Sequence, residues 1–326
     1  MIKHIGILTS GGDAPGMNSA LYAVVKTAQQ FNIKVSGIRK GYEGLINNDL
    51  ISLDAKTLQS TMHLGGTILK TARCDAFKTE QGRQSAINTI NKNKIDALII
   101  IGGDGSFKGA MWLTQLCDIQ CIGIPGTIDN DLAGTDYTLG FDTAVNTSMQ
   151  CIDKIRDTAE SHNRVFVIEV MGRDSGYIAA YSGLTSGADS ILIPESKNDI
   201  MHLVTDIKSY HSEHAFIVVV AEGDETGTDL VCKKIKTENP HIDLRLTKLG
   251  HLQRGGNPTS TDRMLAIGLG SFSVHALIEN KTGMMAGIVN NKYCLTKFEH
   301  VIKKHEIADE IENLLSIFCG KMNNKL

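Results

Sequence analysis

The sequence predicts a doubly wound α/β fold, and three observations carry the prediction. Short β-branched runs alternate with amphipathic stretches along the chain. Several of the runs are apolar on both faces, as strands buried in a parallel sheet must be. The loops after them are rich in glycine and charge, and open α/β sheets bind ligands at the carboxyl ends of their strands.

The expected strands are Ile5–Thr9, Lys34–Ile38, Ile95–Ile101, Cys121–Ile124, Val165–Val170, Ile191–Ile193, Phe216–Ala221, Arg245–Leu249 and Met285–Val289. Helical periodicity marks Ala20–Phe31, Gln84–Lys92, Ala144–Ser161 and Asp199–Tyr210. Six polar loops follow strands: TSGGDAPGMN from Thr9, GGDGS from Gly102, PGTIDND from Pro125, MGRDSG from Met171, AEGDE from Ala221 and GHLQRGG from Gly250. Six such loops in equivalent positions point to one continuous site. Two lobes are expected, with no linear boundary in the sequence and no repeat at a fixed short period.

Bulk properties narrow the class. The 326 residues suffice for two domains. Hydrophobic residues make up 42% and charged residues 21%, an ordinary globular balance. A formal net charge of −3 gives no basic surface for nucleic acid or anionic membrane, so a phosphorylated substrate needs a local basic pocket. Seven scattered cysteines with no Cys-x-x-Cys pair read as reduced thiols, hence a cytoplasmic protein. The opening MIKHIGILTS is too short and β-like for a signal peptide, and the longest apolar run, Ala215–Ala221, is too short to span a bilayer.

The loops carry the chemistry. In TSGGDAPGMN a strand ends at Ser10 and a helix begins near Asn18, so two glycines bring backbone amides and a helix N-terminus to a phosphate. A glycine turn before a helix with Pro15 near its start is the plainer alternative. In GGDGS the glycines could cradle phosphate while Asp104 would repel it. Magnesium resolves that conflict, because it takes one or two carboxylates plus phosphate oxygens. An Asp-Gly turn is the simpler reading there.

PGTIDND sets Asp129 two residues from Asp131, with Thr127 upstream. In an extended loop both carboxylates would face one cleft, where one could take a hydroxyl proton. An Asx-rich turn capping a helix is the alternative. Arg173 and Arg73 are candidate cations for a phosphoryl group in flight. Arg164, Arg245, His251 and Arg254 add further charge in or beside loops. The chain contains no P-loop, no H-R-D or D-F-G kinase set, no G-x-S-x-G elbow, no H-E-x-x-H pair and no G-x-G-x-x-G after its first strand.

Taken in order, TSGGDAPGMN, GGDGS, PGTIDNDLAGTDYTLGF, VIEVMGRDSG and LGHLQRGG resemble the bacterial-type 6-phosphofructokinase family, from the start of the chain to about residue 290. The resemblance implies two doubly wound α/β/α domains with the active site between them at strand carboxyl ends. It implies an ATP-binding large domain at 1–139 plus 255–305, and a sugar-phosphate domain at 140–254 plus 306–326. The implied reaction moves the γ-phosphate of ATP to the 1-hydroxyl of fructose 6-phosphate. Gly11, Arg73, Cys74, Gly103, Asp104, Gly105 and Ser106 would line the ATP site, with Asp104 holding Mg2+. Asp129 matches the acceptor of the hydroxyl proton, Thr127 and Arg173 groups around the transferred phosphoryl, and Asp131 a second acid.

Met171, Gly172, Arg173, Glu222, His251 and Arg254 would hold the sugar phosphate together with Thr127 and Asp129. Arg164 and Arg245 match arginines given by a neighbouring subunit, which implies a homotetramer. Pyrophosphate-dependent relatives typically carry Asp at the position of Gly105 and Lys at that of Gly126, so glycine at both favours ATP. Three other readings stand beside this one: a pyrophosphate-dependent enzyme, another kinase with a GGDG loop such as a lipid or NAD kinase, which lacks the TIDND and MGR segments, and a non-catalytic sensor of nucleotide or sugar phosphate. The family's effector pocket is altered: Tyr22 and Ala55 replace arginines, Lys26 another arginine, Ser212 and Glu213 a lysine pair, and Asp189 a glutamate, while Arg156 remains. Fewer cations should weaken an anionic effector, so allosteric control by ADP or phosphoenolpyruvate is expected to be weak or changed.

Overall fold

A computed structural model describes residues 2–196, 199–210, 214–301 and 306–319. Ser212, Glu213 and the polar tail 321–326, expected to fray, lie outside the described residues. Along the chain come β1 (His4–Thr9), α1 (Met17–Gln30), β2 (Lys34–Ile38), α2 (Tyr42–Asn47), β3 (Leu50–Ser52), α3 (Ala55–Gln59), α4 (Glu80–Asn93), β4 (Ala97–Gly102), α5 (Asp104–Leu116) and β5 (Gln120–Pro125). Then follow α6 (Phe141–His162), β6 (Val165–Val170), α7 (Tyr177–Thr185), β7 (Ser190–Leu192), α8 (Asp199–Ser209), β8 (Phe216–Ala221), α9 (Thr228–Glu238), β9 (Leu244–Lys248), α10 (Ser260–Ile278), β10 (Met284–Val289), β11 (Lys292–Lys297) and α11 (Asp309–Phe318).

The chain divides into two compact units. The first holds Met1–Ile128, Leu132–Thr143 and Arg254–Lys303. Its sheet runs β11-β10-β5-β4-β1-β2-β3, parallel except at the two edges, where β3 and β11 pair antiparallel. Every residue of β1 and β4 is buried, which is why the run ALIIIG shows no period-two alternation. The strand order reverses between β1 and β4, so the loops after these two strands meet at a topological switch point.

The second unit holds Asp129–Asp131, Ala144–Gln253 and Lys304–Leu326. Its sheet runs β7-β8-β6-β9, all parallel, over a core of Val165, Val167, Val218, Val220, Leu203 and Val231. In this division the Asp129–Asp131 turn goes with the second unit.

Local chemistry explains where elements begin. α4 starts four residues before its periodic stretch because Thr79 Oγ1 accepts from Gly82 N and Glu80 sits in the first turn. α6 starts where the buried Asp262 carboxylate accepts from Gly140 N, Thr143 N and Thr143 Oγ1. Burial pushes the Asp262 carboxyl up to about 6 against the opposing pull of those donors.

The nine expected strands all form, with ends shifted by no more than two residues. The two antiparallel edges, β3 and β11, were not expected. One is three residues long, and the other, KYCLTK, carries lysine at both ends and is half exposed, half part-buried.

Candidate active site

In the first unit the predicted nucleotide segments converge on the switch point. Ser10 N donates to Ile101 O at 2.9 Å, and Ser106 Oγ donates to Ser10 O at 3.1 Å, which ties the loop after β1 to the loop after β4. Thr71 Oγ1 donates to Gly11 O at 2.8 Å and brings in the Arg73–Cys74 segment. Arg73 is exposed, while Cys74 is half-buried against the first unit's core. Gly11 has φ 90°, a left-handed value that glycine adopts without strain.

Gly103 precedes α5, and Asp104 is the helix's first residue. Ser106 N and Phe107 N donate to Gly103 O, so the Asp104 and Gly105 amides are the ones that precede the helix's own bonds, and with the helix dipole they favour an anion. The Asp104 side chain is 19% exposed and pairs with Lys108 Nζ at 2.8 Å. A Cβ built on Gly105 meets nothing within 4 Å. Thr127 follows β5; its carbonyl accepts from Thr138 Oγ1 at 2.6 Å.

The second unit carries the predicted acid and the sugar-phosphate groups. Asp129 is 2% exposed, and Arg173 Nε stands 3.8 Å from its Oδ2. Asp131 is buried as well. The loop between them is not extended: Asn130 has φ 50°, a left-handed value that asparagine tolerates. The alternation argument that put both carboxylates on one side therefore fails.

Arg173 also holds a left-handed φ of 53°, an uncommon state for a non-glycine residue and one that clusters at functional sites. Glu222 holds it there. Its Oε1 accepts from Arg173 N at 2.8 Å and from Gly172 N at 3.4 Å, so this predicted sugar ligand also braces the Met171–Arg173 loop.

Residues that sequence reasoning missed form a supporting layer. Ser175 Oγ donates to the Asp129 carbonyl at 2.9 Å. Gln253, fully buried, accepts from Met171 N at 3.2 Å and bonds Ser148 Oγ at 3.0 Å, locking the loop after β6 to the segment that carries the exposed His251. Ser175 and Gln253 stand inside the quoted loops, but their partners stand up to 105 positions away.

Arg164 and Arg245 lie elsewhere, at the amino ends of β6 and β9. Both touch Asp243, Arg164 Nε at 2.6 Å and Arg245 Nη2 at 3.1 Å. The Arg164 bond draws the Asp243 carboxyl below the usual carboxylate range. Arg254 is in the first unit, where Nη1 donates to Asp13 O at 3.2 Å. At the altered effector positions, Tyr22 is half-buried, Lys26 exposed and Ala55 buried. Arg156 donates to the Ser186 and Gly187 carbonyls at 2.7 Å each, and burial raises the Asp189 carboxyl.

A sequence model described as Phosphofructokinase matches residues 4–277. The chain belongs to the phosphofructokinase family. Among its relatives is a protein of Bacteroides thetaiotaomicron named ATP-dependent 6-phosphofructokinase 2, 46% identical over 318 residues, covering 96% of this chain and 98% of that one. A Staphylococcus carnosus protein named ATP-dependent 6-phosphofructokinase is 49% identical over 303 residues, covering 92% of this chain and 94% of that one. The solved T-state phosphofructokinase of Pichia pastoris superposes with a TM-score of 0.84 at 34% identity, over 92% of this chain. This chain spans only 35% of that longer one.

A solved pyrophosphate-dependent phosphofructokinase from Marinobacter aquaeolei superposes equally well, with a TM-score of 0.84, but at 23% identity. That likeness covers 98% of this chain and 92% of the other, and shows the shared fold. The relatives at 46% and 49% identity are both named ATP-dependent, and two glycine positions bear on the same question. Gly105 opens onto empty space, whereas a Cβ on Gly126 would meet Ile101 Cγ2 and Met17 Cε at 3.0 Å each. A lysine there would need both neighbours to give way.

Proposed function

We propose that this chain is an ATP-dependent 6-phosphofructokinase, which transfers the γ-phosphoryl group of ATP to the 1-hydroxyl of fructose 6-phosphate in glycolysis. The observation that carries the reading is the end-to-end match to relatives named ATP-dependent 6-phosphofructokinase. A non-catalytic sensor has no use for Asp104, Thr127, Asp129 and Arg173 together.

The donor phosphates lie on the amides of the Gly11 loop and of the α5 N-terminus, with Arg73, Cys74 and Ser106 beside them. Asp104 fits a magnesium ligand: its carboxylate is partly exposed at the start of α5. Among the described residues no group of three or more His, Cys, Asp or Glu side chains could hold a metal, so Asp104 would serve as a single carboxylate ligand to a magnesium ion brought by the nucleotide. When bound, Mg2+ offsets phosphate charge.

Asp129 accepts the proton of the 1-hydroxyl as that oxygen attacks the γ-phosphorus, the bond from that phosphorus to the bridging oxygen breaks, and ADP leaves. Arg173 stabilises charge on the transferred group and, with Thr127, orients it, while Asp131 is a second acid of the site. Met171, Gly172, Glu222, His251 and Arg254 hold the sugar phosphate.

The placement of Arg164 and Arg245 supports sites shared between subunits of a homotetramer. They stand at the amino ends of their strands, and Met171–Arg173 follows the carboxyl end of β6. Six residues at about 3.3 Å each separate the two ends by about 20 Å. One sugar phosphate does not bridge that span within a chain, so the pair serves a second copy's site. The scattered cysteines suit the cytoplasm, and among the described residues no helix is long and apolar enough to cross a membrane.

The test is fructose 1,6-bisphosphate formation from fructose 6-phosphate and Mg2+, with ATP and pyrophosphate compared side by side. Product with ATP alone is expected. Product with pyrophosphate alone would overturn the donor argument from Gly105 and Gly126. No product with either would favour the sensor.

A further inference from the structure

The two glycines of the first motif look alike in sequence and differ in cause. Gly11 needs its left-handed φ, and a Cβ there would meet only Ser106 Oγ at 3.7 Å. Gly12 lies outside the left-handed region, so other residues could take its backbone. What a side chain at Gly12 would displace is an occupant. A Cβ there would lie 2.5 Å from Arg254 Nη1 and 3.2 Å from its Cζ. The guanidinium lies over the loop in the space of the missing side chain, and Nη1 donates to the carbonyl of the next residue, Asp13. The two partners are 242 positions apart, and both belong to the first unit.

We infer that Gly12 is a positioning residue for Arg254: its bare Cα seats the arginine that binds the sugar phosphate against the loop that binds the nucleotide. The inference rests on the reading of Arg254 as a sugar-phosphate ligand. A methyl at Gly12 pushes on the far end of a flexible side chain and not on backbone, so the arginine moves and the loop stays. The effect therefore falls on acceptor affinity and spares both the fold and the donor.

The experiment is a cycle of Gly12→Ala, Arg254→Ala and the double variant, with KM for both substrates, kcat and Tm measured on the full chain. Gly12→Ala should raise KM for fructose 6-phosphate about tenfold, the effect of one lost charge-assisted hydrogen bond. KM for ATP and Tm should hold, and Gly12→Ala should add nothing in the Arg254→Ala background.

A rise in KM for ATP instead would give Gly12 to the nucleotide and overturn the inference. So would effects that multiply in the double variant. A Gly12→Ala chain that loses its fold would show the loop yielding, which also overturns it. If Arg254→Ala alone weakens the sugar and Gly12→Ala does nothing, only this inference fails. If Arg254→Ala leaves KM for fructose 6-phosphate unchanged, the parent reading of Arg254 fails and takes the inference with it.

Discussion

Asp129→Ser lowers kcat by about 10²–10⁴, the usual contribution of a positioned general base, while KM for fructose 6-phosphate moves little. Asp129 is suited to the role by its surroundings. It is almost fully buried, its carbonyl is held by Ser175 Oγ, and Arg173 stands 3.8 Å from its carboxylate. Serine keeps a small polar group there and removes the proton acceptor. An interaction used mainly in the transition state affects turnover more than affinity. Steady-state kinetics across a range of fructose 6-phosphate concentrations give the answer. A large rise in KM at unchanged kcat would make Asp129 a binding group and vacate the base.

Gly223→Ala is expected to be the most damaging single-methyl change near the site. A Cβ at Gly223 would stand 1.6 Å from the Arg173 carbonyl oxygen and 2.7 Å from its carbon. These are backbone atoms of a residue already at φ 53°, whose N–H is held by Glu222 at 2.8 Å. No rotamer change relieves the contact, so the Met171–Arg173 loop must move. Overpacking of this kind costs about 1–3 kcal/mol, which lowers Tm by about 2–4 °C in a chain of 326 residues. A displacement of about 1 Å in a positioning group costs about 10² in rate. Thermal melting and kcat on the same preparation test both parts; wild-type values for both would mean that the loop is not held as described.

The parallel core was legible because burial on both faces selects β-branched runs such as ALIIIG, and because glycine-rich loops mark strand ends. The antiparallel edges were not: LIS is too short and KYCLTK too polar to separate from turns. At the site, the motifs exposed the groups that would touch phosphate or proton, because those chemistries demand particular residue types. The bracing groups stayed hidden. Asp243 joins Arg164 and Arg245, Gln253 joins Ser148 to Met171, and Arg254 fills the space beside Gly12; each depends on proximity that only the fold creates. The Asp129–Asp131 spacing misled because a left-handed asparagine turns the loop that a period-two reading assumes extended.

The most direct measurement follows the phosphoryl group itself. The enzyme is given ATP labelled with ³²P in the γ position, fructose 6-phosphate and Mg2+, and the sugar product is isolated and its 1-phosphate released separately from its 6-phosphate. Label in the 1-phosphate, with ADP unlabelled and transfer slowed by Asp129→Ser, is the predicted result. Label in inorganic phosphate alone, or at another position of the sugar, would contradict direct transfer to the 1-hydroxyl.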